Sequence, residues 1–86
     1  MTSELRERLE RYLEKAESSF NNIESLDERG EKVRDSALRY YKDALHFRDN
    51  GEYVNAFAAL EYAEGWLDAG VVVGVVKAAG KTPDMF

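Results

Sequence analysis

The sequence has no cysteine, one proline, six glycines and no long hydrophobic run. The absence of cysteine excludes a disulfide framework and any thiolate metal site, and it fits the reducing interior of a cell. The most apolar stretch, residues 69–76, is far shorter than the about 20 residues that a membrane-spanning helix needs. The highly charged first residues contain no apolar signal-peptide core. We therefore expect a cytoplasmic protein that does not enter a membrane.

The composition is that of a small folded protein. The 86-residue chain is 44% hydrophobic and 34% charged, which is typical of one globular domain and not of a disordered chain. A domain of this size buries only roughly 60–65% of its unfolded surface, so its core is small. The net charge of −5 argues against wholesale binding to nucleic acid or to an anionic membrane.

The chain is organised around residues 53–70, a stretch with few charges that holds the only tryptophan. Its main apolar row has the 3.6-residue period of a helix. The members of this row are Ala56, Leu60, Ala63 and Leu67. Other apolar residues lie on the remaining sides, and the charges fall on one narrow strip. These charges are Glu61, Glu64 and Asp68. The pattern predicts a central helix that is covered by protein on every side except this acidic strip.

Two further helices are predicted before the central one, over residues 3–24 and 31–49. Both have apolar residues at helical spacing, and the connections between helices fall near residues 25–30 and 50–52. Asn50-Gly51 ends the second helix, because glycine readily adopts the left-handed conformation. The second connection is short, so the second and third helices should form an antiparallel hairpin.

Two structures compete after Gly70. Either the third helix continues to about Val76, or it ends at Gly70 and the valines are extended. Valine prefers strands, but the pattern shows no partner strand, which favours a continued helix. The predicted fold is therefore an all-α, three-helix up-and-down bundle over residues 1–76. Residues 77–86 are predicted to be a short, mobile C-terminal tail.

Residues 40–74 carry a resemblance to a known family. The matching motifs are Tyr41-x-Asp43-Ala44, Phe47, Gly51, Tyr53, AFAA at residues 56–59, Tyr62-Ala63, Gly65 and LDAG at residues 67–70. They resemble an archaeal family of small proteins known as domain of unknown function 357. The first helix is similar only as a charged amphipathic helix. The resemblance implies a closed three-helix bundle of about this length and brings no established activity.

Residues that could carry chemistry are few. The sequence has no glycine-rich phosphate loop and no arrangement of a catalytic triad. Asp43 and His46 lie one turn apart, and with the acidic strip of the third helix they loosely resemble a carboxylate-bridged dimetal site. Such sites need two Glu-x-x-His elements, whereas this chain has one histidine. We predict no cofactor, no metal and no catalytic residue, and a metal-binding helical bundle is the second alternative.

Arg39 and His46 suggest a different alternative. Their spacing is compatible with the Arg…His pair of HEPN-type helical ribonucleases, in which histidine acts as acid or base on the ribose 2′-hydroxyl. The pattern is permissive, the chain is short for such a domain, and its acidic net charge is unsuited to RNA. A HEPN-like RNA-binding or RNA-cleaving domain is therefore the first alternative.

Asp43 and Asp68 lie at the borders of the apolar stripes of the second and third helices. Carboxylates in such positions usually accept hydrogen bonds from neighbouring side chains, and the chain has five tyrosines. We therefore predict that these two aspartates belong to a buried polar network.

Trp66 lies off the main apolar row. With Tyr62, Val72 and Val73 it forms a candidate interaction surface, because exposed apolar patches commonly mark protein–protein contacts. The leading hypothesis is a non-enzymatic protein–protein interaction or scaffold module. Its protein partner is unknown, and a homodimer through Trp66 and the valine segment is the candidate assembly.

Overall fold

Three helices and two short strands make up the computed structural model, which describes residues 2–84. The helices are α1 (Thr2–Asn21), α2 (Glu28–Asp49) and α3 (Tyr53–Val72), and the strands are β1 (Ile23–Ser25) and β2 (Val76–Ala78). The predicted all-α, three-helix bundle is confirmed, and it carries a minimal two-stranded sheet at one end. None of the helices in this range combines the length and the apolar character needed to cross a bilayer.

The core lies between the three helices and is built from small and aliphatic side chains. α1 contributes a single stripe at helical spacing. This stripe is Leu9, Leu13, Ala16 and Phe20. α2 and α3 contribute mostly alanines, which let two helices approach closely. The ring of Phe20 stacks on Tyr41 of α2 with centroids 4.4 Å apart, which joins α1 to the hairpin of the other two helices.

The turn between α2 and α3 follows the prediction. The Asn50 amide donates to the carbonyl of His46, and Gly51 has a φ of 75°, in the left-handed region that favours glycine. The Glu52 amide donates to the carbonyl of Phe47 at 2.9 Å, which closes the last turn of α2. The predicted antiparallel hairpin is confirmed.

α2 begins three residues earlier than predicted. Asp27 is its N-cap, and the carboxylate accepts a hydrogen bond from the Gly30 amide at 2.9 Å. This bond and the neighbouring Arg29 side chain lower the pKa of Asp27. Gly30 was interpreted as part of a connection, but it is a buried helical residue. A Cβ atom there would lie 2.0 Å from the Val75 carbonyl oxygen, so glycine is needed for close approach.

The continuation of the third helix to about Val76 is wrong. α3 ends at Val72, Gly74 takes a φ of 83°, and β2 pairs antiparallel with β1. The partner strand lies where the end of the first helix and the start of the first connection were predicted, because α1 stops at Asn21. In the register of the sheet, Ser25 lies opposite Val76. The Leu26 amide extends this pairing by donating to the Val75 carbonyl at 2.9 Å.

The segment after residue 76 makes several contacts with the bundle. Ala78 is buried in β2, and the Ser19 hydroxyl donates to the Ala79 carbonyl at 2.6 Å. Lys81 forms ion pairs with α3. The mobility predicted for residues 77–86 stays a prediction, and its last two positions lie outside the described residues.

The burial of α3 is partly as predicted. The row of Ala56, Leu60, Ala63 and Leu67 is buried along its length, as the helical period indicated. The expectation that only the acidic strip meets solvent is wrong for the single chain. Glu64 and Asp68 are only partly exposed, whereas an adjoining arc of uncharged residues is open to solvent.

Candidate functional site

An uncharged face of α3 is the most distinctive surface of the bundle. Seven exposed residues lie within about 100° of the helix circumference, from the first turn to the C-cap. They are Asn55, Ala58, Tyr62, Gly65, Trp66, Ala69 and Val73. We call this set the α3 face. None of its members is charged, although 34% of the whole chain is charged.

The large side chains of the α3 face are substantially exposed. Tyr62, Trp66 and Val73 retain 55%, 37% and 69% of their maximal accessible surface. Exposed aromatic and branched side chains that lie next to one another on a helix form a continuous apolar patch, and such patches commonly mark interaction surfaces. One flank of the face is low, because Gly65 and Ala69 present little or no side chain.

One edge of the α3 face is supported by α2. The ring of Tyr62 meets the ring of Tyr40 edge-on, with centroids 4.4 Å apart. The Arg39 guanidinium lies 5.0 Å from the centre of the Tyr40 ring, a cation–π distance. These contacts pack one side of the Tyr62 ring against α2 and leave the rest of it exposed.

The other edge of the α3 face borders a groove between α1 and α3, with a volume of about 1050 Å³. We call it the α1–α3 groove. Tyr12 and Phe57 meet edge-on in its wall, with ring centroids 5.7 Å apart. Arg8 on the α1 side and Glu61 on the α3 side place both signs of charge along its rim. The groove exists because α1 packs on the hairpin through a single stripe and leaves one flank of α3 open.

The residues predicted as an interaction surface are all exposed and close together along α3. Tyr62, Trp66 and Val73 belong to the α3 face, and both Val72 and Val73 line the α1–α3 groove. Their role in binding stays a prediction. Sequence reasoning did not include the small members of the face, Ala58, Gly65 and Ala69, in the candidate interaction surface. Their common spacing with Tyr62 was the signal that could have found them.

An ammonium group, and not a tyrosine network, occupies the partly buried polar site of α3. Lys81 Nζ lies 2.8 Å from Glu64 Oε2 and 2.5 Å from Asp68 Oδ1. Burial disfavours the charged ammonium, but the hydrogen bonds that it donates to Asp68 and Glu64 outweigh this effect and raise the pKa of Lys81. The site ties the segment after β2 to the middle of α3.

The predicted buried network of Asp43 and Asp68 is wrong. Asp43 is exposed and borders a shallow depression beside Tyr40 and Tyr62, whereas Asp68 bonds to Lys81 on another flank of α3. No buried polar or charged residue occurs within residues 4–84, the range over which burial is described. A residue at the border of an apolar stripe can face either the core or the solvent, and the sequence pattern does not distinguish between these two positions.

The two alternative sites have the following geometry. His46 Nε2 lies 3.1 Å from Asn50 Nδ2 on the surface of α2, and Arg39 packs over Tyr40. Among residues 2–84, no group of three or more histidine, cysteine or carboxylate side chains is arranged to hold a metal ion. Two carboxylates of the acidic strip do converge, but they converge on Lys81.

Replacing Lys81 with methionine is expected to lower the free energy of unfolding by about 1 kcal/mol at pH 7, since both carboxylates lose their counter-charge. The raised pKa sets the sign of the pH dependence. The contribution of Lys81 is complete below its unfolded pKa of about 10.4 and is lost as the pH rises through the higher folded-state pKa. The difference in stability between wild type and variant should therefore shrink only above that pH, as urea unfolding at a series of pH values would show.

Lys77→Met is the matched control, because Lys77 lies in β2 with an exposed side chain. This variant should change the stability little at any pH. Equal losses in the two variants, or a Lys81→Met difference that stays constant through the alkaline range, would contradict a specific role for the ammonium group.

Comparison with protein families gives one match. The family described as "Protein of unknown function (DUF357)" matches residues 6–76, which covers most of α1, all of β1, α2 and α3, and the first residue of β2. The match therefore extends the resemblance beyond the two helices in which its motifs were recognised. Comparison with curated proteins and with solved structures finds no match. The archaeal source implied by the resemblance stays a prediction.

Proposed function

This chain belongs to the DUF357 family of proteins of unknown function, and we propose that it is a non-enzymatic protein–protein interaction module that forms a homodimer through the α3 face. The observation that carries the proposal is the charge-free, exposed surface along the full length of α3. As part of the same proposal the protein acts in the cytoplasm, the reducing compartment that its cysteine-free sequence fits.

The charge distribution favours a second copy as the partner. Each chain carries a net charge of −5, so two copies repel one another, and a contact surface without carboxylates adds nothing to that repulsion. The charges of α3, which are Glu61, Glu64 and Asp68, all lie outside the α3 face. Two copies can therefore bring this face together without burying any of these carboxylates or removing Lys81 from its ion pairs.

The composition of the face also suits an interface. Tyr62 and Trp66 supply aromatic surface at its centre, and aromatic residues are enriched in the cores of interfaces. The 20 residues of α3 give a contact about 30 Å long. One pair of helices buries less area than a standard interface of about 1,600 Å² in total, so we expect a dimer that forms in the micromolar range.

Gly65→Glu tests the proposal without threatening the fold. A Cβ atom at Gly65 would point into open space, with no atom within 4 Å apart from the adjoining residues and backbone of its own helix. Glutamate favours a helix interior over glycine by roughly 0.5–1 kcal/mol. The variant monomer should be as stable as wild type or more stable. The added carboxylate lies halfway along the α3 face, so the dimer dissociation constant should rise at least about tenfold, equivalent to about 1.4 kcal/mol. Sedimentation equilibrium between about 10 µM and 1 mM measures this change.

Val54→Glu is the matched control. Val54 is 71% exposed in the first turn of α3 but lies outside the α3 face, so the same carboxylate there should leave the dissociation constant within about twofold of wild type. A wild-type protein that stays monomeric at about 1 mM would overturn the proposal. So would a Gly65→Glu variant that associates as well as the Val54→Glu control.

A further inference from the structure

We propose that the α1–α3 groove is a second binding surface, which takes an amphipathic helix of a different protein with acidic residues along one flank and a basic residue on the other. The proposal goes beyond the homodimer, because it concerns another partner and does not require two copies of this chain to associate. It is carried by the shape of the groove and by the opposite charges of its two walls.

The groove has the length of a short helix. Its lining extends from Leu5 to Ser19 on α1 and from Phe57 to Val73 on α3. At 1.5 Å per residue these segments are about 21 Å and about 24 Å long, which equals about four turns of a third helix laid alongside them. Amphipathic helices bind in such grooves through apolar side chains that recur one turn apart.

The floor of the groove is apolar. It is formed by Leu5 and Tyr12 of α1 and by Phe57 and Leu60 of α3. Tyr12 is 49% exposed, although its ring meets Phe57 edge-on. On the α3 side Gly65 has no side chain, and its Cβ position points into open space, so a helix can approach α3 closely there. The apolar stripe of a partner helix would cover this floor.

The two walls of the groove carry opposite charges that are not paired with one another. Arg8 and Lys15 lie on the α1 wall, one turn before and one turn after Tyr12, and Glu61 lies on the α3 wall. None of these three charged side chains forms an ion pair with another residue in the range 4–84. A helix seated between the walls would supply their counter-charges.

The other carboxylates of the groove already have a counter-charge. Glu64 and Asp68 both accept hydrogen bonds from Lys81, which also lines the groove. The charges left for a partner are therefore two cations on α1 and one carboxylate on α3. Arg8 and Lys15 are about 10.5 Å apart along α1, so acidic residues at positions i and i+7 of a helix lying beside it match their spacing.

Neither α1 nor α3 of a second copy has this chemistry. The apolar stripe of α1 is buried in the core of its own chain, so it is not available to another copy. The α3 face has no charged residue that could pair with Arg8 or Lys15. Charge complementarity therefore favours a different protein as the source of the helix.

Two synthetic helical peptides of about 18 residues, long enough to span the groove, provide the test. Both have the same leucine stripe. The acidic-flank peptide has glutamates at positions i and i+7 on one flank and a lysine on the other, whereas the basic-flank peptide has lysines on both. Fluorescence anisotropy with the full chain should show at least about tenfold tighter binding of the acidic-flank peptide. The net charge of −5 favours the opposite order, so this preference has to come from the groove.

Replacing both Arg8 and Lys15 with glutamate should reverse the preference. This double variant should bind the basic-flank peptide at least about tenfold more tightly than the acidic-flank peptide. A gain in affinity for one peptide cannot result from a loss of folding. The matched control combines Arg6→Glu with Lys32→Glu, which changes the net charge equally at two exposed residues outside the groove. The control should keep the wild-type preference.

Other results would overturn the proposal. Equal binding of the two peptides would mean that the charged walls select nothing, and a control variant that reverses the preference would mean that only the overall charge matters. If neither peptide binds, the groove does not accept such a helix. A second copy would then be identified as its occupant if the Arg8 and Lys15 double variant weakened dimer formation in sedimentation.

Discussion

Gly30→Ala is expected to lower the free energy of unfolding by about 3 kcal/mol, the upper end of the usual effect of overpacking. The methyl group would lie 2.0 Å from the Val75 carbonyl oxygen, 3.1 Å from its carbon and 3.3 Å from Ser25 Cα. All three neighbours are backbone atoms, so no side-chain rotation relieves the clash. Relief requires moving the start of α2 away from the turn before β2, where the Val75 carbonyl also accepts from the Leu26 amide.

The cost should be visible as a fall in the melting temperature of about 15 °C, since 1 kcal/mol shifts a domain of this size by roughly 4–8 °C. Thermal and urea unfolding followed by circular dichroism measure it, at concentrations below dimer formation. Gly65→Ala is the matched control, because Gly65 is also helical but has open space around its Cβ position. That variant should gain about 0.5–1 kcal/mol. Similar stabilities for the two variants would refute the packing role of Gly30.

The helical part of the fold could be predicted because its signals are local. Gly51 has the positive φ that a helix C-terminus commonly uses, and the buried row of α3 recurs at the helical period. The strands could not be predicted in this way. β1 has the sequence Ile-Glu-Ser, which is too short to show alternation, and its partner lies about fifty residues later.

Close approach of distant backbones is the other feature that local patterns miss. Gly30 and Gly51 look alike in the sequence, since each follows a short run of charged or polar residues. Their structural roles are different. Gly51 supplies a left-handed turn, whereas Gly30 sits in a helix and makes room for the chain around Val75. The ion pairs of Lys81 were also missed by local patterns. Lys81 reaches Glu64 and Asp68 only because β2 brings the following chain back beside α3.

The candidate site was predicted in outline only. The surplus of apolar residues around α3 indicated that something must cover the helix, and three of the four predicted surface residues lie on the α3 face. The solvent-exposed part of α3 is wider than predicted. How much of a helix is covered depends on where the other helices lie, which its own sequence does not show. α1 reaches α3 through one stripe and leaves the α1–α3 groove beside the face.

Leu67→Ala is expected to lower the free energy of unfolding by about 3 kcal/mol, within the range of 2–5 kcal/mol for such truncations. Leu67 is 0% exposed and is among the largest fully buried side chains of the described residues. Truncating the leucine side chain leaves a cavity on the core side of α3. The neighbouring alanines cannot fill it, because an alanine side chain is a single methyl group that cannot reach into the space. Urea unfolding at low protein concentration measures the loss.

Val54→Ala is the control on the same helix, and its 71% exposure predicts a change within about 0.5 kcal/mol. A comparable loss in both variants would mean that the buried row does not carry the core. Leu67 lies on the side of α3 away from the α3 face, so its truncation should leave the dissociation constant of the folded dimer near the wild-type value. Gly65→Glu should do the reverse, keeping the monomer stable while weakening the dimer. The two substitutions, less than one turn apart on α3, therefore separate the side of the helix that holds the fold from the side that binds the second copy.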